Sequence, residues 1–183
     1  MTKGQNKVIA YLGGKTEMWI FDRMEKPLPS PYLIRKPKLQ EAAELSRLII
    51  ESVNHFHTSS YTDEEIAIWH RGYSPAKMET QISKGGTRVL EVAGALAGVI
   101  QFDAPEIKGF YLRPTYSGQG WGRVLLDHVL SQIKTEGHRR VELTSNKMAA
   151  AFYKKLGFQM VGEEMVYWEN HPFVEYRMVR SLG

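Results

Sequence analysis

Apolar residues recur at helical spacing in three segments of the chain. They are Leu39, Ala42, Leu45, Ile49 and Val53 in the first segment, Leu125, Leu126, Val129, Leu130 and Ile133 in the second, and Met148, Ala149, Phe152 and Leu156 in the third. Intervals of three and four residues place such side chains on one helix face. Gly137 and Gly157 follow the last two segments where a helix C-terminal cap is expected. Thr62 and Glu65 have the spacing of a capping box, which predicts a further helix ending near residue 70.

Short runs of β-prone residues lie between these helical segments. They cover residues 32–35, 87–92, 96–102, 107–112, 140–144, 165–168 and 173–180. Residues 51–61, which are rich in His and Ser, are expected to form a loop. The order of strands and helices is mixed, which predicts an α/β (α+β) fold with a mixed sheet in a three-layer α/β/α arrangement.

The first thirty-one residues are predicted to form a separate small unit. Val8–Leu12 and Met18–Phe21 are short apolar runs separated by Gly13-Gly14-Lys15, a pattern typical of a β-hairpin. Three prolines between Pro27 and Pro31 predict a stiff linker. We therefore divide the chain into an extension, residues 1–31, and a domain, residues 32–183. A lone hairpin is barely stable in water, so we expect it to pack on the domain or on a second subunit of a homodimer.

Composition narrows the functional classes. The chain has no cysteine, which excludes disulfides, thiolate zinc sites and a cysteine nucleophile. No apolar run approaches the length of a membrane span or a signal-peptide core, so we expect a cytoplasmic protein without a membrane partner. Residues 1–40 hold eight Lys and Arg against three Asp and Glu, and the other 143 hold sixteen against seventeen. This surplus is small, and a nucleic-acid partner is not expected.

The segment with the clearest chemical signal runs from Leu112 to Leu126, LRPTYSGQGWGRVLL. A strand ends, three glycines alternate with other residues, and an amphipathic helix begins. Such a turn can direct successive backbone N–H groups at phosphate oxygens, and the positive helix end adds to the attraction. Arg123 breaks the dinucleotide pattern G-x-G-x-x-G, and the Walker sequence is absent. On spacing alone, an ordinary tight turn remains an alternative.

This segment resembles the coenzyme A pyrophosphate loop of the GCN5-related N-acetyltransferases, P-x-Y-x-G-x-G-x-G-x-x-L-L. Residues 146–158, NKMAAAFYKKLGF, are similar to the later N-x-x-A-x-x-F-Y-x-x-L-G-F segment of that family. The closing residues 175–178, EYRM, resemble its last strand. The likeness covers about residues 32–183, with the two motifs 24 positions apart, counted from Gly122 to Asn146.

The resemblance implies that the cofactor is acetyl-CoA (coenzyme A). The residues that it assigns to the cofactor are Leu112, Arg113, Ser117, Gly118, Gln119, Gly120, Trp121, Gly122, Arg123, Asn146 and Tyr153. Main-chain groups near Leu112 would pair with the pantetheine arm, and the amides of residues 118–123 would hold the pyrophosphate. Ser117 departs from the Gln or Arg with which the family opens this loop, and Arg113 or Arg123 is a candidate to compensate.

The resemblance also gives candidate catalytic groups. Tyr153 is expected to act as general acid toward the departing thiolate, although a tyrosine packed in the core is the alternative. A backbone N–H near Leu112 is expected to stabilise the oxyanion. The base is harder to assign. Glu106, with Asp103 beside it, is the candidate, and solvated loop carboxylates are an equal alternative.

Several residues remain outside these motifs. His55 and His57 have H-x-H spacing, but no third ligand is evident and no metal is expected. The resemblance implies that their loop, residues 54–61, helps form the acceptor pocket. The acidic residues of the C-terminal third either attract a cationic amine or form a solvated face; they are Glu163, Glu164, Glu169 and Glu175.

The resulting prediction is an N-acetyltransferase that transfers acetyl from acetyl-CoA to a primary amine by direct attack in a ternary complex. The acceptor would be a small molecule or a peptide, and the sequence does not identify it. The alternative is a binding module of the same fold that holds acyl-CoA without turnover. Retention of Tyr153 favours the enzyme.

Overall fold

The computed structural model describes residues 31–56 and 61–183, which form one seven-stranded sheet flanked by five α-helices. The strands are β1 (Tyr32–Arg35), β2 (Thr87–Val92), β3 (Ala95–Asp103), β4 (Glu106–Leu112), β5 (Arg140–Ser145), β6 (Gln159–Trp168) and β7 (His171–Ser181). The helices are α1 (Ala42–Phe56), α2 (Asp63–Gly72), α3 (Pro75–Ser83), α4 (Trp121–Thr135) and α5 (Lys147–Lys155). The strand order is β1-β2-β3-β4-β5-β7-β6, and only β4 and β5 pair in parallel.

The sheet separates two hydrophobic cores. One core contains the buried faces of α4 and α5 together with Leu90, Ile100 and Leu143. The other contains α1, α2 and α3 with Val89 and Val99. Neighbouring strand residues point to opposite faces, so β2 and β3 supply both cores. The predicted mixed α/β fold in three layers is confirmed.

The helices on the second face differ in part from the sequence prediction. The Thr62 capping box is present: the Glu65 amide donates to Thr62 Oγ1 at 3.3 Å, and the Thr62 amide donates to Glu65 Oε2 at 2.8 Å. The predicted loop over residues 51–61 is wrong at its start, because α1 continues to Phe56 and buries Val53 on the way. Helix α3 was not predicted, although Ser74 at its N-cap and Pro75 at its first position are local helix signals.

Helix α5 and the β6–β7 hairpin complete the domain. Asn146 caps α5 by accepting a hydrogen bond from the Ala149 amide at 2.8 Å. The buried face of α5 contains Ala150 and Tyr153, whereas Met148, which the periodicity placed on that face, is 49% exposed. The closing hairpin extends over residues 159–181, longer than the two predicted runs.

The predicted N-terminal hairpin and most of the proline-rich linker lie in residues 1–30, outside the described residues. The domain boundary at residue 31 therefore stays a prediction. Within residues 31–56 and 61–183, no helix is long and apolar enough to cross a membrane.

Candidate active site

The site begins where β4 separates from β5. The two strands pair only at Glu106 with Glu142 and at Ile107 with Leu143. At the same point β4 has a bulge: Gln101 of β3 pairs with Gly109 and the next residue, Phe102, pairs with Ile107, so Lys108 is the extra residue. A β-bulge bends its strand and increases the local twist. The rest of β4 therefore leaves β5 and opens a cleft in the middle of the sheet.

The separation leaves backbone groups of β4 without a strand partner on the cleft side. The Arg113 amide donates to the Ala97 carbonyl of β3 at 2.9 Å. Hydrogen-bonding groups alternate sides along a strand, so the amides of Leu112 and Phe110 face away from β3. No described strand pairs with β4 there. Main-chain groups at Leu112 are thus available to an extended ligand, which would bind as an added strand does.

A glycine turn, residues 117–120, connects this strand end to α4. Gly118 and Gly120 have φ values of 73° and 89°, in the left-handed region that glycine tolerates best. Within the described residues, the amides of Gly118, Gln119 and Gly120 donate to no acceptor. Helix α4 starts directly afterwards, with no side-chain cap at Gly120 and no acidic residue in its first turn. Unused amides beside a positive helix end fit the diphosphate of coenzyme A.

The side chains around the glycine turn differ in whether they can contact a bound anion. Ser117 and Arg123 are exposed and free to approach a bound anion. Gln119 Nε2 donates to the Thr115 carbonyl at 2.7 Å and so braces the turn. Trp121 is 1% exposed, with its indole in the core, and can offer a ligand only its backbone.

Arg113 does not direct its guanidinium to the glycine turn. Its Nε donates to the Leu96 carbonyl at 2.8 Å, and its terminal nitrogens approach Glu51 at 2.9 Å and Glu44 at 3.4 Å on α1. The side chain therefore fastens the end of β4 to α1. Of the two arginines considered as compensation for Ser117, Arg123 is the one whose exposure leaves it free to act.

Gly98 and Gly122 allow Leu112, at the end of β4, to pack closely against β3 and α4. A Cβ on Gly98 would lie 2.5 Å from Leu112 Cδ2, and a Cβ on Gly122 would lie 3.2 Å from both Leu112 Cδ1 and Phe152 Cζ. The third glycine of the motif thus serves the contact of α4 with β4 and α5. Its role is packing, in addition to any contact that its amide makes with a ligand.

A cavity of about 120 Å³, the β4–β5 cavity, occupies the cleft. It is lined by Trp69, Tyr73, Ile107, Lys108, Gly109, Phe110, Tyr111, Thr144, Ser145, Asn146, Ala149, Tyr153, Val166, Trp168 and Glu175. Phe110, Ala149 and Tyr153 belong to the α4–α5 side, and Trp69 and Tyr73 to the α1–α3 side. The opening therefore passes through the sheet and joins its two faces.

Tyr153 lies on α5 and is 6% exposed. Its ring packs against Phe152 and Phe158, with centroid distances of 5.3 and 5.5 Å. Within the described residues its hydroxyl has no hydrogen-bond partner, although the side chain lines the β4–β5 cavity. Burial, followed by the charges of nearby Tyr73 and Glu175, raises the pKa of Tyr153 well above its usual range. The phenol is thus neutral, lies at the cavity and has a hydroxyl that is bonded to no other described residue.

Asn146 combines two functions. Its Oδ1 caps α5, which leaves the Nδ2 hydrogens without a described acceptor at the lining of the cavity. Capping fixes the orientation of the side chain, because the amide plane is set by the bond to Ala149. Asn146 can therefore donate to a ligand in the cleft without losing its cap.

Glu175 of β7, which the sequence singles out only as one of four C-terminal acids, belongs to the candidate site. It lines the β4–β5 cavity. Burial raises the pKa of Glu175, a hydrogen bond from Thr144 opposes that shift, and the negative charge of Glu164 adds to it. Glu164 lies directly opposite Glu175 in the β6–β7 register. This carboxyl can therefore gain and lose a proton nearer to neutral pH than an exposed glutamate.

Two further tyrosines face Glu175 on the α1–α3 side. The Tyr111 hydroxyl donates to the Tyr73 hydroxyl at 2.9 Å. Burial, partly opposed by this hydrogen bond, raises the pKa of Tyr73 to about 12, and burial raises that of Tyr111 well above its usual range. Both phenols stay neutral at physiological pH, so Glu175 is the group in this set that titrates.

The other candidate base lies outside the cavity. Glu106 forms an ion pair with Lys108, its side chain is 36% exposed, and it is not among the residues that line the cavity. Asp103 is exposed at the end of β3. The role of Glu106 as base stays a prediction, and its position gives it no direct support.

Of the predicted histidine pair, His55 is the member that lies within the described residues. His55 is exposed near the end of α1, with its ring against Phe56. His57 and half of the predicted acceptor loop fall in residues 57–60, outside the described residues. In the part of the chain that the structure describes, no group of three or more His, Cys, Asp or Glu is placed to hold a metal.

Comparison with known proteins gives the family. The family model described as "Acetyltransferase (GNAT) domain" matches residues 57–180, more than half of the chain. The chain belongs to the GNAT acetyltransferase domain family. Among curated proteins, this GNAT chain is 27% identical to an uncharacterised N-acetyltransferase of Methanocaldococcus jannaschii over 142 residues, 70% of this chain and 61% of that protein. It is 32% identical to the 5-NmdU N-acetyltransferase of Pseudomonas phage PaMx11 over 96 residues, 48% of this chain and 66% of that protein. The chain spans less than two thirds of both relatives.

Solved structures agree with the GNAT fold. A GCN5-related N-acetyltransferase from Rhodopseudomonas palustris superposes with a TM-score of 0.78 at 20% identity, over 86% of this chain and 99% of that one. The PaiA N-acetyltransferase of Thermoplasma acidophilum, in complex with coenzyme A, gives 0.69 at 22% identity, over 82% and 99%. At these identities the likeness establishes the fold alone.

Proposed function

We propose that this GNAT domain transfers an acetyl group from acetyl-CoA to a primary amine, with both substrates bound together in the β4–β5 cavity. The observation that carries the proposal is that one cavity joins the two faces of the sheet. Tyr153 and Asn146 line it from the α5 side, and Glu175 lines it together with rings of the α1–α3 side. Such a cavity can receive a cofactor from one face and an acceptor from the other.

Cofactor binding is assigned to the glycine turn and to β4. The unused amides of residues 118–120 and the start of α4 would hold the diphosphate, with Arg123 adding charge. The free backbone at Leu112 and the Nδ2 group of Asn146 would bind the arm that leads into the cleft. When bound, acetyl-CoA supplies the activated acetyl group. That both curated relatives are named N-acetyltransferases supports this assignment.

Glu175 is proposed as the base. An alkyl amine with a pKa near 10 arrives as an ammonium ion and must lose a proton before it can attack. The carboxylate of Glu175 first neutralises that charge and then accepts the proton, and its raised pKa makes it a better proton acceptor. Glu175 thus takes the role that sequence reasoning assigned to Glu106.

Tyr153 is proposed as the acid. Its hydroxyl carries a proton, lines the same cavity and has no described partner to compete for it. A thiol in solution has a pKa near 8.5, below that of this buried phenol, so Tyr153 would stabilise the departing thiolate by donating a hydrogen bond, without complete transfer of the proton. The N–H of Leu112, which faces the cleft, is a candidate donor to the developing oxyanion.

Replacement of Glu175 tests the proposal. Glu175→Gln is expected to lower kcat by about 100-fold or more, because general-base catalysis is worth 10²–10⁴. The assay follows the release of free coenzyme A across a panel of amines, with coenzyme A affinity measured by calorimetry as the control. Binding of coenzyme A without turnover of any amine by the parent protein would contradict the enzyme and favour the acyl-CoA-binding module.

Glu175→Gln also distinguishes a catalytic role of Glu175 from a structural one. The pKa of Glu175 is raised in the folded state, so its contribution to stability is greatest below its unfolded pKa and falls as pH rises through the folded pKa. Glu175→Gln is therefore expected to raise Tm at neutral pH while it lowers activity. A variant that loses activity and also Tm would indicate a structural role instead.

A further inference from the structure

The acceptor side of the β4–β5 cavity is built from aromatic rings. Trp69, Tyr73, Tyr111 and Trp168 line it. The Trp168 ring centroid lies 6.3 Å from that of Trp69 and 6.0 Å from that of Tyr73, and Tyr73 lies 5.2 Å from Tyr111. Each ring is held by its neighbours, so together they form a wall of fixed orientation.

The end of β6 that carries Trp168 is fastened to α2. Arg71 pairs with Glu169 at 2.6 Å, and Glu169 and Asn170 form the tight turn of the hairpin with φ values of 50° and 65°. At Gly72 an added Cβ would lie 3.4 Å from the Trp168 ring, so the helix end packs against the indole. Trp168 is therefore a half-buried ring at a defined position of the acceptor side.

Charge in the cavity matches a single ammonium group. Glu175 is the one carboxylate among its described lining residues, and Lys108, the one cation, is paired with Glu106. Nearby acids are engaged elsewhere: Glu65 accepts from Thr62 and faces His171, and Glu169 pairs with Arg71. Glu164 lies opposite Glu175 on β6 but does not line the cavity. A second ammonium inside the cavity would have no carboxylate of its own.

Space in the cavity limits the shape of the acceptor. Its volume of about 120 Å³ is smaller than the roughly 150 Å³ cavity that accommodates benzene in an engineered protein. Under the proposed function, part of this volume is taken by the acetyl thioester. A whole ring is therefore not enclosed beside the thioester, and a slim, unbranched arm is what can reach Glu175 inside the cavity. A planar ring at the other end of that arm would lie at the opening, against the half-buried Trp168.

We propose that the acceptor is a primary amine on a short, unbranched arm that extends from a planar unsaturated ring. The ring would pack on the half-buried Trp168 at the opening of the cavity, and the ammonium would meet Glu175. This inference rests on the proposed function and names the substrate class of the same site. A diamine, whose second charge would lie against the ring faces, is the competing acceptor class.

The test compares amines that differ in one property. The release of coenzyme A is measured with benzylamine, with its saturated counterpart cyclohexylmethylamine, and with 1,4-diaminobutane. Stacking and edge contacts between rings predict a kcat/KM for benzylamine about 3–10-fold higher than for cyclohexylmethylamine. Equal values for the two, or a higher value for 1,4-diaminobutane, would overturn the inference and leave the proposed function intact. Release with none of the amines would count against the proposed function, and the inference would fall with it.

Two variants test whether Trp168 produces the preference for benzylamine over cyclohexylmethylamine. Trp168→Leu is expected to reduce the benzylamine preference to near unity while the Kd for coenzyme A is unchanged, and that Kd also reports on folding. Tyr167→Leu is the control, because Tyr167 is the adjacent residue on β6, is 67% exposed and does not line the cavity. It should keep the parent preference. A preference that survives in Trp168→Leu would overturn the assignment of the ring to this wall.

Discussion

Burial acts on Glu175 and Tyr153 in the same direction, because both are acids whose charged form is disfavoured in a poorly solvated cavity. The pKa of each is raised. For the phenol, the consequence is that the hydroxyl stays protonated and can donate a hydrogen bond to a developing thiolate. For the carboxyl, the consequence is a stronger affinity for a proton. One physical cause thus keeps Tyr153 as a hydrogen-bond donor and makes Glu175 a better proton acceptor.

Removal of the Tyr153 hydroxyl tests the first of these roles. Tyr153→Phe keeps the packing against Phe152 and Phe158 and should lower kcat by about 10-fold or more, with the Kd for coenzyme A unchanged. Tyr167→Phe removes an exposed hydroxyl from β6 and serves as the control. A Tyr153→Phe protein that turns over at the parent rate would refute the acid role.

The role of Glu175 as proton acceptor can be tested by changing Glu164, which lies opposite it on β6. The negative charge of Glu164 raises the pKa of Glu175, so Glu164→Gln should lower that pKa and move the acid limb of the kcat–pH profile to lower pH. Glu163→Gln is the matched control, because Glu163 is the adjacent residue and pairs with Tyr176 instead. Identical acid limbs in Glu164→Gln and the parent would argue that another group sets the profile.

At the scale of elements, the site depends on the bulge in β4 and on the start of α4. The bulge at Lys108 directs β4 away from β5 at the position where their pairing stops. The glycine turn then presents amides that the fold itself does not use. Both features concern backbone groups, so the proposed cofactor site does not depend on the side chain of Ser117 at the head of the turn.

A substitution at Gly118 tests the glycine turn. Gly118→Ala forces an alanine to φ of 73°, and Gly94→Ala does the same at 83° in the β2–β3 turn; no other group lies within 4 Å of either added Cβ. Each should cost about 1 kcal/mol of stability. Because only Gly118 belongs to the turn, only Gly118→Ala should weaken coenzyme A binding, by about 10-fold in calorimetry. Equal loss of affinity in both variants would mean that the turn has no specific part in binding.

Local signals account for the elements that were predicted from sequence. The Thr62 capping box, the glycines after α4 and α5 and the β-prone runs of β2 and β3 all act within a few residues. The glycine turn was visible for the same reason. Helix α3 also has a local signal, Ser74 followed by Pro75, although no helix was predicted there.

Glu175 and the aromatic wall depend on contacts distant in sequence. Strand β7 inserts between β5 and β6, and this order brings Glu175 next to Thr144 and opposite Tyr73 across the cleft. Trp168 meets Trp69 through the same arrangement. No spacing within the sequence encodes these neighbours, so a C-terminal acid could not be told from a solvated one.

At the scale of the whole molecule, the sheet of the described residues separates two layers of helices. The α4–α5 layer carries the amides suited to a diphosphate, the α1–α3 layer carries the aromatic wall, and the β4–β5 cavity connects them. Separate entry of two substrates and their contact at one point would follow from this arrangement. The proposed function therefore requires the cofactor to bind with its diphosphate at the glycine turn and its thioester in the β4–β5 cavity.

A crystal structure of the protein with acetyl-CoA tests that requirement most directly. We expect diphosphate oxygens within hydrogen-bond distance, roughly 2.7–3.2 Å, of the amides of residues 118–123, and the thioester sulfur beside the Tyr153 hydroxyl within the cleft. A cofactor whose diphosphate lies away from the glycine turn, or whose sulfur lies outside the β4–β5 cavity, would contradict the account.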